Sequence, residues 1–216
     1  MNWGYPLATT VVAGLAAWWL SRRRYRRADD TIHRTLPAWL LPALAALASV
    51  VAGPVYLDRP AVVIMTYAAA LVWGLLLAFI DLDVRRLPDR LTLPALPIAA
   101  GLLAACSAAT DDWRALARAA ACAGIAVFAF LLAALLSPGA EGLGLGDVKL
   151  AGTLGGLLGW IGWSNALYGL LTGFVLGGLA AAVLLLTRRA DRKTFLSFGP
   201  AMIVGGYLWA VLPPVG

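Results

Sequence analysis

The chain alternates between long apolar stretches and short polar segments. Eight stretches have the length and low charge of a helix that crosses a membrane. They cover residues 3–20, 36–53, 60–80, 91–109, 114–136, 149–163, 165–187 and 195–212. Their apolar positions are continuous rather than alternating, which favours helices over the strands of a membrane barrel. The pattern predicts an all-α polytopic membrane protein with about eight transmembrane helices, of which the sixth is short and rich in glycine.

The composition supports a membrane protein. Hydrophobic residues make up 62% of the 216 residues and charged residues only 13%. A soluble core of this size cannot hide so much apolar surface. The first 20 residues are apolar from the start and are followed by "SRRRYRR". A cleavable signal peptide has its basic residues first, so we expect a retained first helix.

The basic residues predict the orientation in the membrane. Four alternate loops hold 14 of the 17 Lys and Arg side chains, and only Arg59, Arg114 and Arg118 fall on the other face. By the positive-inside rule the rich face is cytoplasmic, so both termini face outward. The net charge of +6 is explained by topology and by contact with anionic lipid headgroups. A nucleic-acid partner is not predicted.

Few residues are available for metal or thiol chemistry. Cys106 and Cys122 lie inside predicted spans, and His33 is the only histidine. A structural zinc site needs about four ligands, and a Ser–His or Cys–His mechanism needs a histidine beside its nucleophile. We therefore predict no metal and no cofactor.

The carboxylates gather at two places on the cytoplasmic face, "FIDLDVRRLPDRLTLP" and "EGLGLGDVKL". Asp81 ends the third span and Asp147 opens the sixth, and an ionisable residue at a span end is a functional candidate. A helix cap is the alternative: Asp147 would suit the sixth span, and for Asp89 a cap of the fourth span is the preferred reading. Asp83 is interpreted as a solvated neighbour of Asp81.

Two carboxylates from separate helices can share a proton and activate a water molecule. One then acts as the general base and the other donates a proton to a peptide carbonyl. The glycine-rich loop before Asp147 lacks the GxxxxGK[ST] string of a phosphate-binding loop. Gly144 and Gly146 instead allow close backbone approach and positive φ. Supporting residues are predicted at Gly144, Gly146, Lys149, Asp89 and Glu141.

Helix dipoles suggest which aspartate carries the charge. Asp147 precedes the N-terminus of the sixth span, where the dipole favours a negative charge, and Lys149 adds to this. Asp81 lies at the C-terminal end of the third span, where the dipole disfavours one. The hypothesis is that Asp147 is ionised and Asp81 holds the shared proton.

Three segments resemble the type IV prepilin peptidases. They are the GxGD string at Gly144–Asp147, the stretch from Asp81 to Pro94 with its D-x₇-D-x-L-T-L-P spacing, and "SFGPAMIVGG" at Ser197–Gly206. The GxGD string alone is shared with presenilins and signal peptide peptidases, but the combination favours the prepilin branch. The resemblance covers roughly residues 60–210.

The resemblance implies that Asp81 and Asp147 are the catalytic pair of an aspartyl endopeptidase. Its substrates would be prepilin or pseudopilin helices, cleaved at the cytoplasmic face of the cell (inner) membrane. It also implies a six-helix peptidase core at 60–216, preceded by two helices at 1–59. Many members carry CxxC motifs and methylate the new N-terminus; the loop "SRRRYRRADDTIHR" has no cysteine, so methyl transfer is not expected.

Two other functions stay open from the residues alone. One is a GxGD protease that cleaves other membrane helices. The other is a proton-coupled transporter or channel with Asp81 and Asp147 as ion sites, although such acids belong near the bilayer midplane. The sequence leaves the oligomeric state open.

Overall fold

The architecture comes from a computed structural model, which describes residues 4–23, 25–26, 36–56, 58–136, 144–187 and 198–213. Within these ranges the chain forms eight long helices and one short one, and no strand. In chain order they are α1 (Gly4–Ser21), α2 (Leu40–Tyr56), α3 (Ala61–Val84), α4 (Asp89–Thr92), α5 (Ala95–Thr110), α6 (Trp113–Leu136), α7 (Leu145–Ile161), α8 (Trp163–Leu186) and α9 (Gly199–Val211). The predicted all-α class is confirmed.

The helices differ in their ability to cross a membrane. Of the described helical segments, four are long and apolar enough to do so: Ala61–Val84, Asp89–Thr110, Trp113–Leu136 and Trp163–Val183. Three further apolar helical segments are shorter: Thr9–Ser21, Leu40–Tyr56 and Gly199–Val211. These helices are those of a polytopic membrane protein.

The predicted fourth span is interrupted. Its first turn is the short helix α4, and α5 begins only after Leu93 and Pro94. Pro94 and Pro97 have no N–H, so neither can donate the helical hydrogen bond that a continuous helix would need there. The indole N–H of Trp73 on α3 donates to the Leu91 carbonyl at 3.1 Å and holds α4 against α3.

Helix α7 lies at the centre of the fold. It packs against α5, α6, α8 and α9, and its residues from Leu150 to Trp160 are all buried. Its glycines allow α6 to approach closely. A methyl group on Gly155 would lie 2.9 Å from the Cys122 carbonyl oxygen, and one on Gly159 would lie 2.6 Å from Cys122 Cβ. Small residues at this spacing let the two helix backbones approach closely.

A second close contact joins α8 to α9. A methyl group on Gly173 would lie 2.6 Å from Met202 Cα, and one on Gly205 would lie 2.5 Å from the Gly173 nitrogen. Only glycine at both positions lets the two backbones touch. This contact fixes the depth of α9 in the bundle and, with it, the position of its N-terminus.

The two N-terminal helices pack on α3. An apolar cluster joins all three through Ala13 and Ala17 of α1, Leu41 and Ala45 of α2, and Ile80 of α3. A phenol from each of α2 and α9 also donates to a carbonyl of the other helix: Tyr56 to Ala210 at 2.6 Å, and Tyr207 to Ala48. The division into segments 1–59 and 60–216 stays a prediction.

The C-terminal end of α7 is held by an arginine from α6. The Arg118 guanidinium donates to the carbonyl oxygens of Gly159 at 2.6 Å, Trp160 at 2.5 Å and Ile161 at 3.3 Å. These are among the carbonyls that lack a partner at a helix end, and a cation there also complements the helix dipole. Arg118 therefore fixes the end of α7 that lies away from Asp147.

We expect Arg118→Ala to lower the free energy of unfolding by about 1.5–3 kcal/mol, the usual size of a hydrogen bond to a charged group. The matched control is Arg114→Ala, because Arg114 lies on the same helix and is exposed. Thermal unfolding of both variants in detergent measures the difference. Equal melting temperatures would show that the guanidinium does not stabilise α7.

Candidate active site

Asp81 lies inside α3 rather than after it. The helix continues to Val84, past the predicted end of the third span at residue 80, so Asp81 occupies its last turns and is only 4% exposed. Its Oδ2 accepts a hydrogen bond of 3.1 Å from the Gly199 N–H. Gly199 is the first residue of α9, so the carboxylate faces the N-terminus of that helix.

Gly199 is a site residue that the sequence analysis did not single out. A methyl group on it would lie 2.7 Å from the Asp81 Oδ2, so a larger residue would displace the carboxylate. Pro200 follows, and the second position of a helix tolerates proline because its N–H would have no partner there. The signal was present in the "FGP" segment, which was quoted for its resemblance but given no role.

Asp147 is the third residue of α7, not its N-cap. The helix begins at Leu145, four residues before the predicted sixth span, and the N-cap is Gly144. The Asp147 Oδ2 accepts a hydrogen bond of 3.1 Å from the Gly144 N–H. The prediction of an N-cap was wrong in position, yet the side chain still caps an N–H that the helix leaves without a partner. Gly144 has φ −75°, so positive φ is not needed there.

Burial and a neighbouring charge act on Asp147, which lies ahead of the predicted sixth span. They raise its pKa from 3.8 to about 6; burial is the larger cause, the Asp81 carboxylate the second, and the Gly144 N–H opposes both. These two effects act against the helix dipole, which favours a negative charge on Asp147. The N-terminus of α9 beside Asp81 also supports a negative charge there, and the dipole hypothesis stays a prediction.

Leu87 lies beside two glycines, one next to Asp147 in sequence and the other bound to Asp81. A methyl group on Gly146 would lie 3.0 Å from the Leu87 Cβ, and one on Gly199 would lie 3.6 Å from its Cδ2. Gly146 directly precedes Asp147, and Gly199 binds Asp81. Close approach at Gly146 is therefore confirmed, with Leu87 as the neighbour that requires it.

The other supporting residues have different neighbours. Lys149 forms an ion pair with Asp89, which joins α7 to α4. Asp89 is not a cap, because Pro88 is the N-cap of α4 and no side chain bonds there; the proline holds the extended conformation that precedes a helix. Glu141 lies outside the described residues.

Asp83 is buried and paired rather than solvated. It is 2% exposed, and its carboxylate accepts two hydrogen bonds of 2.7 Å from the Arg26 guanidinium and one of 2.5 Å from the Tyr25 hydroxyl. Burial and the Asp83 carboxylate raise the pKa of Tyr25 to about 12, which keeps the phenol protonated as a donor. Arg86 also donates to the Tyr25 carbonyl at 3.0 Å. The solvated interpretation was wrong because these partners lie 57 and 58 residues away in sequence.

Metal ligands are not grouped in the part of the chain that the structure describes. No three His, Cys, Asp or Glu side chains within it lie close enough together to hold a metal ion.

The buried ion pair of Asp83 with Arg26 should make stability sensitive to an amide substitution at Asp83. We expect Asp83→Asn to lower the free energy of unfolding by about 3 kcal/mol, because it leaves the Arg26 guanidinium without its counter-charge. Asp58→Asn, at an exposed position, is the control. Thermal unfolding in detergent checks this, and an Asp83→Asn melting temperature equal to that of the control would show that the ion pair does not stabilise the fold.

Comparison with known proteins supports the resemblance. The type IV leader peptidase family matches residues 68–185, which include both Asp81 and Asp147. No solved structure matches the chain significantly.

Several curated proteins named prepilin leader peptidase/N-methyltransferase are similar to the chain. The protein of Aeromonas salmonicida is 31% identical over 94% of this chain and 67% of its own length. That of Stutzerimonas stutzeri is 33% identical over 64% of this chain and 46% of its own length. That of Pseudomonas aeruginosa is 35% identical over the same shares, 64% and 46%. The chain therefore spans between about half and two thirds of the length of these relatives, and it belongs to the type IV leader peptidase family.

Proposed function

We propose that this chain is a membrane aspartyl endopeptidase that removes the leader from type IV prepilins or related pseudopilins. Asp81 and Asp147 are its catalytic pair. The single observation that carries the proposal is that two aspartates, 66 positions apart in sequence, come together in the fold. Leu87 lies beside both Gly146, which precedes Asp147, and Gly199, whose N–H binds Asp81, and the Asp81 charge contributes to the raised pKa of Asp147. A pair that shares one proton is what hydrolysis by two aspartates requires.

The two hydrogen bonds suggest how the roles divide. Asp81 accepts the N–H of Gly199 at the N-terminus of α9, which supports the ionised form. Burial and the Asp81 charge raise the pKa of Asp147 to about 6, so Asp147 holds a proton more readily than an ordinary aspartate. In this proposal Asp81 is the general base that takes a proton from water. Asp147 donates its proton to the carbonyl oxygen of the scissile peptide.

The substrate and the side of the membrane follow from other observations. The relatives are named as prepilin leader peptidases, so a prepilin helix is the proposed substrate. The enzyme would meet this helix within the lipid bilayer. The excess of basic residues on the loops of the face that carries both aspartates supports a cytoplasmic location at the inner membrane. Hydrolysis by this pair needs no metal or other cofactor.

We expect Asp81→Asn and Asp147→Asn each to abolish removal of the leader, because neither variant has both a base and an acid at the site. Asp58→Asn, exposed and distant in sequence, should cleave normally. Co-expression with a candidate prepilin and gel analysis of the leader measures this. Normal cleavage by either site variant would refute the aspartyl mechanism.

The same assay separates the alternatives. A panel with a prepilin and an unrelated single-span membrane protein should yield cleavage of the prepilin alone. Cleavage of the unrelated helix would indicate a general membrane protease. Cleavage of neither, together with proton uptake into vesicles that Asp81→Asn abolishes, would indicate a transporter.

The proton assignment has its own test. We expect Asp81→Asn to lower the pKa of Asp147 from about 6 toward, but not to, 3.8. The substitution removes the negative charge of Asp81 and leaves the burial of Asp147 in place. Infrared titration of the protonated carboxyl band in lipid nanodiscs follows the change. A pKa that stays at its wild-type value would contradict electrostatic coupling of the two residues.

A further inference from the structure

We infer that Leu87 is a positioning residue that sets the gap between the two aspartates, with Gly146 and Gly199 as its two contact points. The inference rests on the proposed function, because it concerns the geometry of that catalytic pair. Leu87 itself carries no chemistry. Its role is to fix the distance between the first turn of α7, which carries Asp147, and the N-terminus of α9, which binds Asp81.

The contact with Gly146 is the closer of the two. A methyl group on Gly146 would lie 3.0 Å from Leu87 Cβ, 3.5 Å from its Cδ1 and 3.6 Å from its Cγ. The first of these distances is tighter than ordinary van der Waals contact, so there is no room for a methyl group between Leu87 and the α7 backbone. Any added volume must move Leu87 or the first turn of α7, which carries Asp147.

The contact with Gly199 lies on the other side of the same side chain. The Cδ2 of Leu87 is 3.6 Å from the position of a methyl group on Gly199. The N–H of Gly199 in turn fixes the Asp81 carboxylate at 3.1 Å. One leucine therefore contacts the residue before Asp147 and the residue that binds Asp81.

The segment that carries Leu87 is itself fixed in place. Asp89 pairs with Lys149 of α7, and Trp73 of α3 donates to the Leu91 carbonyl. Pro88 between them restricts the backbone further. Leu87 is half-buried in the apolar cluster that also contains Leu77, Leu150 and Met202. Because its own backbone is held, its side chain can act as a spacer of constant size.

The distances predict two different responses to an added methyl group. In Gly146→Ala the methyl meets Leu87, so truncation of Leu87 should relieve the strain. Leu87→Ala removes the Cδ1 and Cγ that would lie 3.5 and 3.6 Å from this methyl group. The space that they leave lets the first turn of α7 shift by the few tenths of an ångström that the remaining Cβ contact requires. In Gly199→Ala the methyl lies 2.7 Å from the Asp81 Oδ2, so truncation of Leu87 offers no relief.

The experiment compares both alanine variants with and without Leu87→Ala. We expect Gly146→Ala to lower kcat about tenfold with KM unchanged, as a shift of a few tenths of an ångström in a catalytic group does. It should also change the pKa of Asp147, because the distance of its carboxyl from Asp81 changes. In the double variant, Leu87→Ala should restore most of the kcat that Gly146→Ala loses and should return the pKa of Asp147 most of the way to its wild-type value. Gly199→Ala should lower kcat about 100-fold, and kcat should stay low when Leu87→Ala is added.

Two controls distinguish positioning from packing. Gly178→Ala adds a methyl group where nothing lies within 4 Å and should leave kcat and the pKa of Asp147 at their wild-type values. Leu170→Ala truncates another half-buried leucine of the same cluster and should not restore Gly146→Ala. If Leu87→Ala does not fold, Leu87→Val is used in its place and should restore Gly146→Ala in part.

The inference is overturned if Gly146→Ala cleaves at the wild-type rate, or if Leu87→Ala fails to restore it. Restoration of Gly199→Ala as well would mean that Leu87→Ala loosens the whole region, and this too contradicts a spacer. The infrared pKa of Asp147 is measured without any cleavage. A failure of the proposed function, seen as activity in Asp81→Asn or Asp147→Asn, is therefore distinguishable from a failure of the spacer.

Discussion

The hydrogen bond from the Gly199 N–H to the Asp81 carboxylate is the contact on which the arrangement of the site depends. It joins α3 to α9 across 118 positions of sequence. A carboxylate that is 4% exposed needs a compensating donor, and the first turn of a helix offers N–H groups that lack intrahelical partners. The hydrogen bond therefore gives the buried carboxylate a donor and gives the first N–H of α9 an acceptor.

The interior of the bundle is arranged so that this contact can form. Helix α9 reaches the required depth because Gly173 and Gly205 let its backbone touch α8. Helix α7 reaches α6 as closely through Gly155 and Gly159. Side chains larger than glycine at these positions would separate the helices by roughly the size of a methyl group or more. The precision of the aspartate pair therefore originates in glycines deep in the bundle as well as at the site.

Much of the fold and half of the site could be predicted from the sequence. Continuous apolar runs predict membrane helices because lipid leaves the backbone no other partner, and the ends of two such runs marked Asp81 and Asp147. The partners of those residues could not be predicted in the same way. Gly199 and Arg26 lie far from Asp81 and Asp83 in sequence, and neither periodicity nor charge pattern encodes a long-range contact. The dipole argument considered each aspartate only within its own helix, so it did not include the N-terminus of α9 beside Asp81.

The long sequence separation between Asp81 and Gly199 has a consequence for the biogenesis of the protein. A ribosome completes α3 well before α9 exists, so the hydrogen bond between Gly199 and Asp81 can form only after most of the chain has been synthesised. The position of Asp81 relative to α9 is therefore set at a late step of folding, when the last described helix docks.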